Sequence, residues 1–500
     1  MHSNIIFAIV IVLIGTIWWL IHLRGAASAK RGHRALPGPI GLPIIGHLHL
    51  LGNLPHRSLY KLSQKYGPIM SLRLGTSPTI VVSSPAAAEL ILKTHDNVFA
   101  NRPEFQAGKY LSYGSKGMVF TKYNTYWRSV RKITATELLS PAMINSMAWQ
   151  RREELGLLVE SLKKAVAAGD VVDLSQKVKH LIQDMTWRMV FGKSTDKRFD
   201  LSHIIHEAAK LGGSFNIADC IPFLGSLDLQ GITRRLKVVG QEIDKFLEIY
   251  LDDHEGDATN GNKELDRDLL AVLLSLQKNP TSTHEIGPSH IKAIMFDIIF
   301  GAIDPSQTTI EWSMSELLLH PRVMRLVQEE IKNVVGEREY LEESELSKLE
   351  YLDMVVKETL RLHPAGPLMI PHESMEDIVI DGYYIPKKTR IIVNNWGLGR
   401  DPKVWSENVD EFYPERFIGS NIDFRGKDFQ FLPFGSGRRG CPGLQLGLLN
   451  VKLVVAQLVH GFNWELPFGM NADELDMDEI FGVSLLRSTH LLAKPTSRVP

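Results

Sequence analysis

The chain has 500 residues, 44% hydrophobic and 23% charged, with a formal net charge of −1 at pH 7. That composition is ordinary for a globular protein, and the near-zero charge supplies no strongly basic face for nucleic acid. Only Cys220 and Cys441 are present, so no disulfide framework is suggested and a reducing compartment fits.

Ile5 to Ile21 is an uncharged apolar run with Trp18 and Trp19 near its end. It is just long enough to cross a bilayer, and interfacial tryptophans mark the water boundary. Arg24, Lys30, Arg31 and Arg34 follow, which places the bulk of the chain on the cytosolic side. A cleaved signal peptide would want a basic start and a small-residue cleavage site. No basic residue precedes the apolar run apart from the terminus and His2, so residues 1–23 read as an uncleaved anchor. Asn279 is followed by Pro280, which leaves no usable glycosylation sequon. Residues 24–45 form a basic, Pro/Gly-rich hinge whose stretch Leu36–Pro43 is incompatible with helix.

Ile69–Leu74 and Thr79–Val82 read as strands of a small sheet. From Pro85 onward helices dominate. The apolar patterns predict them over Ala86–Thr94, Trp127–Leu139, Ser146–Ala168, Leu174–Val190, Arg234–His254, Ile291–Leu319, Pro321–Val335 and Leu352–Leu362. Ile378–Tyr384 and Arg390–Asn394 are later strand candidates, and Leu444–Leu458 is an apolar, helix-like run. His254–Arg267 and Asn279–Gly287 read as surface loops. No linker divides the chain after residue 60, so 46–500 is predicted as one large, mainly α domain with a minor β-sheet.

The chemistry concentrates in Phe434-Gly435-Ser436-Gly437-Arg438-Arg439-Gly440-Cys441-Pro442-Gly443. Its glycines permit a tight loop with positive φ, and the helix that follows offers free N–H groups that stabilise a thiolate. Two other readings stay open on these residues alone. A lone cysteine is often a small buried hydrophobe. Gly435 to Gly440 also matches a dinucleotide-binding pattern, with Glu465 near the acidic position, though no series of βα units follows. Elsewhere, Glu358 and Arg361 share a helix face, as do Trp127 and Arg131; Glu264 and Arg267 repeat the first spacing in a polar segment.

The loop resembles the haem-binding loop of the cytochrome P450 family, filling its pattern Phe-x-x-Gly-x-Arg-x-Cys-x-Gly at every fixed position. The resemblance spans nearly the whole chain. Gly399–Pro402 and Phe412–Phe417 look most like the plant microsomal group. It implies the cytochrome P450 fold and a haem b cofactor (iron protoporphyrin IX) with Cys441 as axial ligand of the iron, beside Phe434 and Gly435. It further implies that Trp127, Arg131, His372 and Arg439 hold the haem propionates, and that Glu358, Arg361 and Arg416 form a buried bracing network. Arg128, Lys132 and Arg438 would face an acidic electron donor.

The family's oxygen-side helix pattern, Ala/Gly-Gly-x-Asp/Glu-Thr-Thr/Ser, is met by Gly301-Ala302-Ile303-Asp304-Pro305-Ser306. Asp304 is kept as the proton-relaying acid, but Pro305 replaces the threonine. Ser306, Gln307 and Thr308 are then candidate proton donors, and a kink is expected at Pro305. The family's substrate segments map onto Phe120, Phe215, Phe300, Leu368 and Leu485, a set that suits a lipophilic small molecule.

The implied enzyme is an NADPH- and O2-dependent monooxygenase of the endoplasmic reticulum membrane, single-pass, with its catalytic domain in the cytosol. It would be served by NADPH-cytochrome P450 reductase and would hydroxylate a terpenoid, phenylpropanoid or alkaloid. A second reading, kept alive by Pro305, is ring closure, coupling, dehydration or rearrangement without net oxygen insertion. A third is a non-catalytic haem or ligand binder.

Overall fold

The computed structural model describes residues 33–193, 201–259, 268–278, 286–406 and 408–498, with positions 13, 15 and 16. The anchor sequence, apart from those three positions, lies outside the described residues, as do 260–267 and 279–285 of the two polar segments.

A helical body packs around one long helix, Pro288–Leu319. Apolar or small side chains surround this helix on nearly every face, as a core helix requires. It packs on Leu174–Phe191, Leu444–Gly461 and Glu350–Leu362. Leu444–Gly461 is the one helix among the described residues long and apolar enough to cross a membrane. Residues such as Val454, Val455 and Ala456, all at 0% exposure, place it in the core instead.

The main sheet has four strands in the order Ile69–Leu74, Ser77–Val82, Arg390–Val393, His372–Glu373. The first pair is an antiparallel hairpin with Ile69 opposite Val82. The second and third run parallel, Thr79 opposite Arg390. The last pairs antiparallel, with His372 opposite Ile391 and Glu373 opposite Arg390. The sheet thereby carries His372 to the edge that faces the helical body.

Several expectations need correction. Ile378–Tyr384 is a hairpin, not one strand: Asp381 and Gly382 both take positive φ (50° and 80°), the requirement of a tight type I′ turn. The helix expected to end at His254 runs over Ile232–Thr259. His254 is buried there, with Nε2 2.9 Å from Asp268 Oδ2, which pins this helix to the start of the next, Leu269–Lys278. Trp127–Leu139 starts earlier, at Thr125, where Asn124 Oδ1 accepts the Trp127 N–H at 2.8 Å, and its last turn is a wider π-type coil. Ser146–Ala168 is two helices broken at Met147.

The hinge is not a free linker over its whole length. Arg34 N–H donates to Gly382 O (3.0 Å), Ser71 N–H to Pro37 O (2.7 Å), and Leu42 pairs with Gly46. Gly38 lies against the sheet so closely that a Cβ would stand 2.1 Å from Ser71 O. Gly38→Val should therefore peel residues 34–46 off the sheet, at a cost of about 1–3 kcal/mol. Limited proteolysis of the full-length protein should show faster cleavage in that stretch together with a lower Tm.

Candidate active site

Cys441 sits where the sequence pattern puts it, just before the helix Leu444–Gly461. Its N–H donates to Phe434 O (2.8 Å), closing the loop upon itself. Gly435 and Gly437 take φ of 69° and 65°, and a Cβ on Gly437 would lie 2.3 Å from Leu92 O, so the turn admits only glycine there. Arg438 anchors the outside of the loop, its N–H and Nη1 donating to Asp96 Oδ2 at 3.0 and 2.9 Å. Burial raises the pKa of the Cys441 thiol, while the Gly443 N–H and the charge of Arg131 pull it down. The side chain is nonetheless open to a cavity of about 430 Å³.

Trp127, Arg131, His372, Arg439, Phe434 and Gly435 all line that cavity. Arg439 is held by three backbone carbonyls, Ala100 (2.7 Å), Met118 (3.1 Å) and Thr121 (2.6 Å), and stacks 4.3 Å over the Trp127 ring. Trp127 Nε1 donates to Met118 O at 3.0 Å, so its indole N–H is spent on the protein. Among the described residues the Arg131 side chain has only the Met118 sulfur as partner, at 3.8 Å. His372 Nδ1 lies 2.8 Å from Phe99 O, which makes Nδ1 the donor and leaves Nε2 toward the cavity. Burial, with Arg102 adding to it, drives His372 to the neutral form.

Sequence reasoning missed Arg102. It lies beside this group and lines the same cavity, with Nη1 donating to Ile370 O (2.6 Å) and Pro371 O (3.0 Å). Burial lowers the pKa of Arg102, Arg131 and Arg439; the charge of Arg439 depresses Arg102 further, as that of Arg131 does Arg439. Three guanidiniums share a desolvated wall with no carboxylate within 4 Å of any of them among the described residues. Uncompensated buried charge of one sign is costly, and a ligand bearing carboxylates supplies the missing partner. Gly301, which also lines the cavity, has nothing within 4 Å of where a Cβ would stand, so the helix leaves open space there. A cysteine sulfur, an unobstructed helix wall and a cationic rim together fit haem.

The bracing network is complete. Arg361 grips Glu358 bidentately at 2.7 and 2.9 Å, and Arg416 Nε donates to Glu358 Oε1 at 2.7 Å. The carboxylate also accepts the Tyr413 N–H at 2.9 Å.

On the oxygen side, Pro305 and Ser306 face the cavity but Asp304 does not. Burial raises the Asp304 pKa, and its carboxyl hydrogen-bonds Ser484, which does line the cavity; Oδ2 has no protein partner. The kink expected at Pro305 is not a break: the α-helix runs uninterrupted over Pro288–Leu319. The carbonyl that loses its helical partner is that of Gly301, in a stretch open to the cavity, so it is not stranded in a dry core. Thr308 is turned inward, its hydroxyl donating to Asp304 O at 2.7 Å. Gln307 does not line the cavity.

Phe120, Phe215, Phe300 and Leu368 line the cavity as expected. Leu485 does not. It is fully buried behind the wall, where its N–H donates to Ala365 O (3.1 Å) and its carbonyl accepts Trp312 Nε1–H (2.7 Å). Gly482, Val483 and Ser484 form the wall there instead. Asp297, a further residue the sequence did not single out, ties the central helix to the loop bearing Phe120 by accepting the Met118 and Val119 N–H groups (2.9 Å for Val119).

Comparison with known proteins bears on the same conclusion. The family model for cytochrome P450 matches residues 36–492. Cytochrome P450 CYP736A12 of Panax ginseng is 57% identical over 499 residues, 99% of each chain. Cytochrome P450 71A1 of Persea americana is 42% identical, over 88% of this chain and 89% of its own. Desmethyl-deoxy-podophyllotoxin synthase of Sinopodophyllum hexandrum is 41% identical, over 95% and 94%. A solved zebrafish cytochrome P450 structure with abiraterone matches with a TM-score of 0.74 at 27% identity, covering 89% of this chain and all of that one. The fold is that of a haem enzyme. The chain belongs to the cytochrome P450 family, and with these plant relatives it is a haem-dependent monooxygenase.

Two predictions follow from these contacts. Glu358→Ala strands two buried guanidiniums and should cost about 3–5 kcal/mol, read as a lower denaturant midpoint and loss of retained haem. Asp297 is pushed up to about 6 by burial, against an ordinary 3.8. Its contribution to stability is fully present below pH 3.8 and is lost as pH rises through about 6. Asp297→Asn should therefore raise stability at pH 8 by roughly 1–3 kcal/mol, read as a higher Tm, and change it little at pH 4.

Proposed function

We propose that this monooxygenase hydroxylates an unactivated C–H bond of a lipophilic plant specialised metabolite with a terpenoid, phenylpropanoid or alkaloid skeleton. The observation that carries the reading is the cavity itself: about 430 Å³, lined mainly by apolar side chains, with Cys441 and the Pro305–Ser306 turn in its walls. Haem held there would supply the O2-activating, one-electron chemistry of the family. Arg131, His372, Arg439 and Arg102 would orient it through its carboxylates, the Trp127 ring would support Arg439 from below, and Phe434 and Gly435 would seat it beside Cys441. Phe120, Phe215, Phe300 and Leu368 would exclude water and hold the substrate.

Ser306 answers for Pro305. Its hydroxyl lines the cavity and makes no hydrogen bond to the protein among the described residues, so it is free to hand on a proton. Thr309, one turn on, also faces the cavity, though its hydroxyl donates to Pro305 O at 2.8 Å. Asp304 would feed protons toward this side through Ser484. With hydroxyls still in place, Pro305 does not require chemistry without oxygen insertion, and that reading is not favoured.

Electrons would come from NADPH-cytochrome P450 reductase at the endoplasmic reticulum membrane, with residues 1–23 as a single-pass anchor, 24–45 as hinge and 46–500 as the cytosolic domain. Arg128 and Arg438 are exposed and flank one ring, each guanidinium within 6 Å of Tyr123, with Lys132 one turn from Arg128. Such a basic patch beside the cysteine loop suits an acidic donor.

Incubation in ¹⁸O2 should give labelled product; unlabelled product at full turnover would overturn the reading. Ser306→Ala should slow product formation by about a hundredfold or more, the range for losing a positioned proton donor, and divert the reductant into peroxide. Pro305→Thr should change product identity not at all.

A further inference from the structure

Away from the arginine cluster the cavity has one further charged side chain that haem binding does not use, and it is an acceptor. Asp219 lies in the short helix Ile217–Cys220 and lines the cavity. Its Oδ1 accepts the Gln106 N–H (2.8 Å), and no other hydrogen bond reaches the carboxylate among the described residues. Oδ2 keeps open surface and has no protein partner. The residue is held in place on three sides. Its N–H donates to Asn216 O (3.0 Å), its carbonyl accepts Arg390 Nη2 (3.2 Å), and Gln106 grips Oδ1.

The donors beside it are out of reach of a ligand. Arg390 Nε and Asn216 Nδ2 lack partners too, but both are sealed beneath the surface. Phe105, next to Gln106 in sequence, stands 5.2 Å from the Arg390 guanidinium and 6.2 Å from the Phe120 ring, and the two rings continue the cavity wall. The accessible hydrogen-bonding capacity of Asp219 is thus one fixed, unpaired acceptor on a wall of aromatic neighbours. Such an acceptor gains most from a ligand that donates to it. We infer that Asp219 Oδ2 accepts a hydrogen bond from a hydroxyl group on an otherwise apolar substrate, and so holds that end of the skeleton at this wall. The inference deepens the monooxygenase reading above and rests on it.

Charge decides between a hydroxyl and a cation. Burial pushes Asp219 up to about 6 while Gln106 and Arg390 pull it down, so the carboxylate is mostly ionised at neutral pH. The Arg390 guanidinium already sets a positive charge beside it. A ligand ammonium would add a second cation to a poorly solvated wall, where like charges repel strongly. A hydroxyl brings one donor and no charge. A ketone oxygen would face the carboxylate with nothing to donate. The bland alternative makes Asp219 a strut whose only task is to hold Gln106, the first residue of the helix Gln106–Leu111.

The test uses purified full-length holoenzyme and spectral titration of the haem Soret band. The probes are alcohol and carbonyl members of one skeleton, nootkatol with nootkatone and cinnamyl alcohol with cinnamaldehyde, and the trimethylammonium analogue of each. The parent enzyme should bind the alcohol at least about tenfold more tightly than its carbonyl partner, the effect of one hydrogen bond to a charged acceptor. Asp219→Asn keeps a carbonyl oxygen for the Gln106 N–H and turns amide N–H groups to the cavity. It should bring that ratio to one or below without lowering Tm. Equal weakening of both members in this variant would mean a strut and overturn the inference. So would a ratio that the variant leaves unchanged, tighter binding of the ammonium analogue than of the alcohol, or a parent enzyme that prefers the alcohol in neither pair. The reduced-CO difference spectrum is recorded first for both proteins. If the parent enzyme shows no haem–thiolate signature, it is the underlying monooxygenase reading that fails.

Discussion

Glu358 carries a carboxylate into a site with no solvent exposure, and the layout of the following chain depends on how that charge is satisfied. Two guanidiniums meet it, and their remaining N–H groups must find acceptors. Arg361 donates to Gly399 O (2.6 Å), Val409 O (2.6 Å) and Glu411 O (3.1 Å). Arg416 donates to Trp405 O (2.9 Å), Asn408 O (3.1 Å) and Glu411 O (3.1 Å). One buried charge thus ties an irregular stretch of backbone to a helix. An irregular stretch cannot satisfy itself through a ladder, so side chains fix it instead.

From that stretch a relay of rings leads to the cysteine. Phe417 and Phe431 lie 5.9 Å apart, Phe431 and Phe424 5.7 Å, Phe424 and Phe434 6.4 Å. Phe434 in turn accepts the Cys441 N–H through its carbonyl. Close packing transmits position with little give. The geometry at Cys441 is therefore set partly by a salt bridge that never touches the cavity. This separates two kinds of residue: Glu358, Arg361 and Arg416 act on Cys441 only through the backbone they hold, whereas Arg131 acts on it by charge.

What the sequence made legible follows the reach of each signal. The cysteine loop, the Glu358–Arg361 pair and the Trp127–Arg131 pair are local patterns whose spacing alone puts side chains on one face, and each lies where the pattern implies. Arg102 was illegible because its meaning is tertiary: only the fold sets it beside Arg439, and nothing near it in sequence shows that. Leu485 was misplaced for a similar reason. A strand alternates its faces, and without the register the choice between Ser484 and Leu485 for the cavity side is open. His254 looked like the start of a polar loop because its partner, Asp268, lies beyond a polar stretch. Pro305 was legible as an anomaly but not in its consequence, which depends on whether the freed Gly301 carbonyl is dry or open.

The cationic wall of the cavity and its apolar remainder act on a ligand in different ways. Arg102, Arg131 and Arg439 crowd their charges together; backbone carbonyls satisfy N–H groups of Arg102 and Arg439 but neutralise neither, so this wall selects negative charge. The remaining surface is largely aromatic and aliphatic, with Phe120, Phe215, Phe300 and Leu368, and offers little directional preference. A ligand bearing carboxylates is therefore oriented by charge, whereas an apolar skeleton is oriented by the shape of the walls.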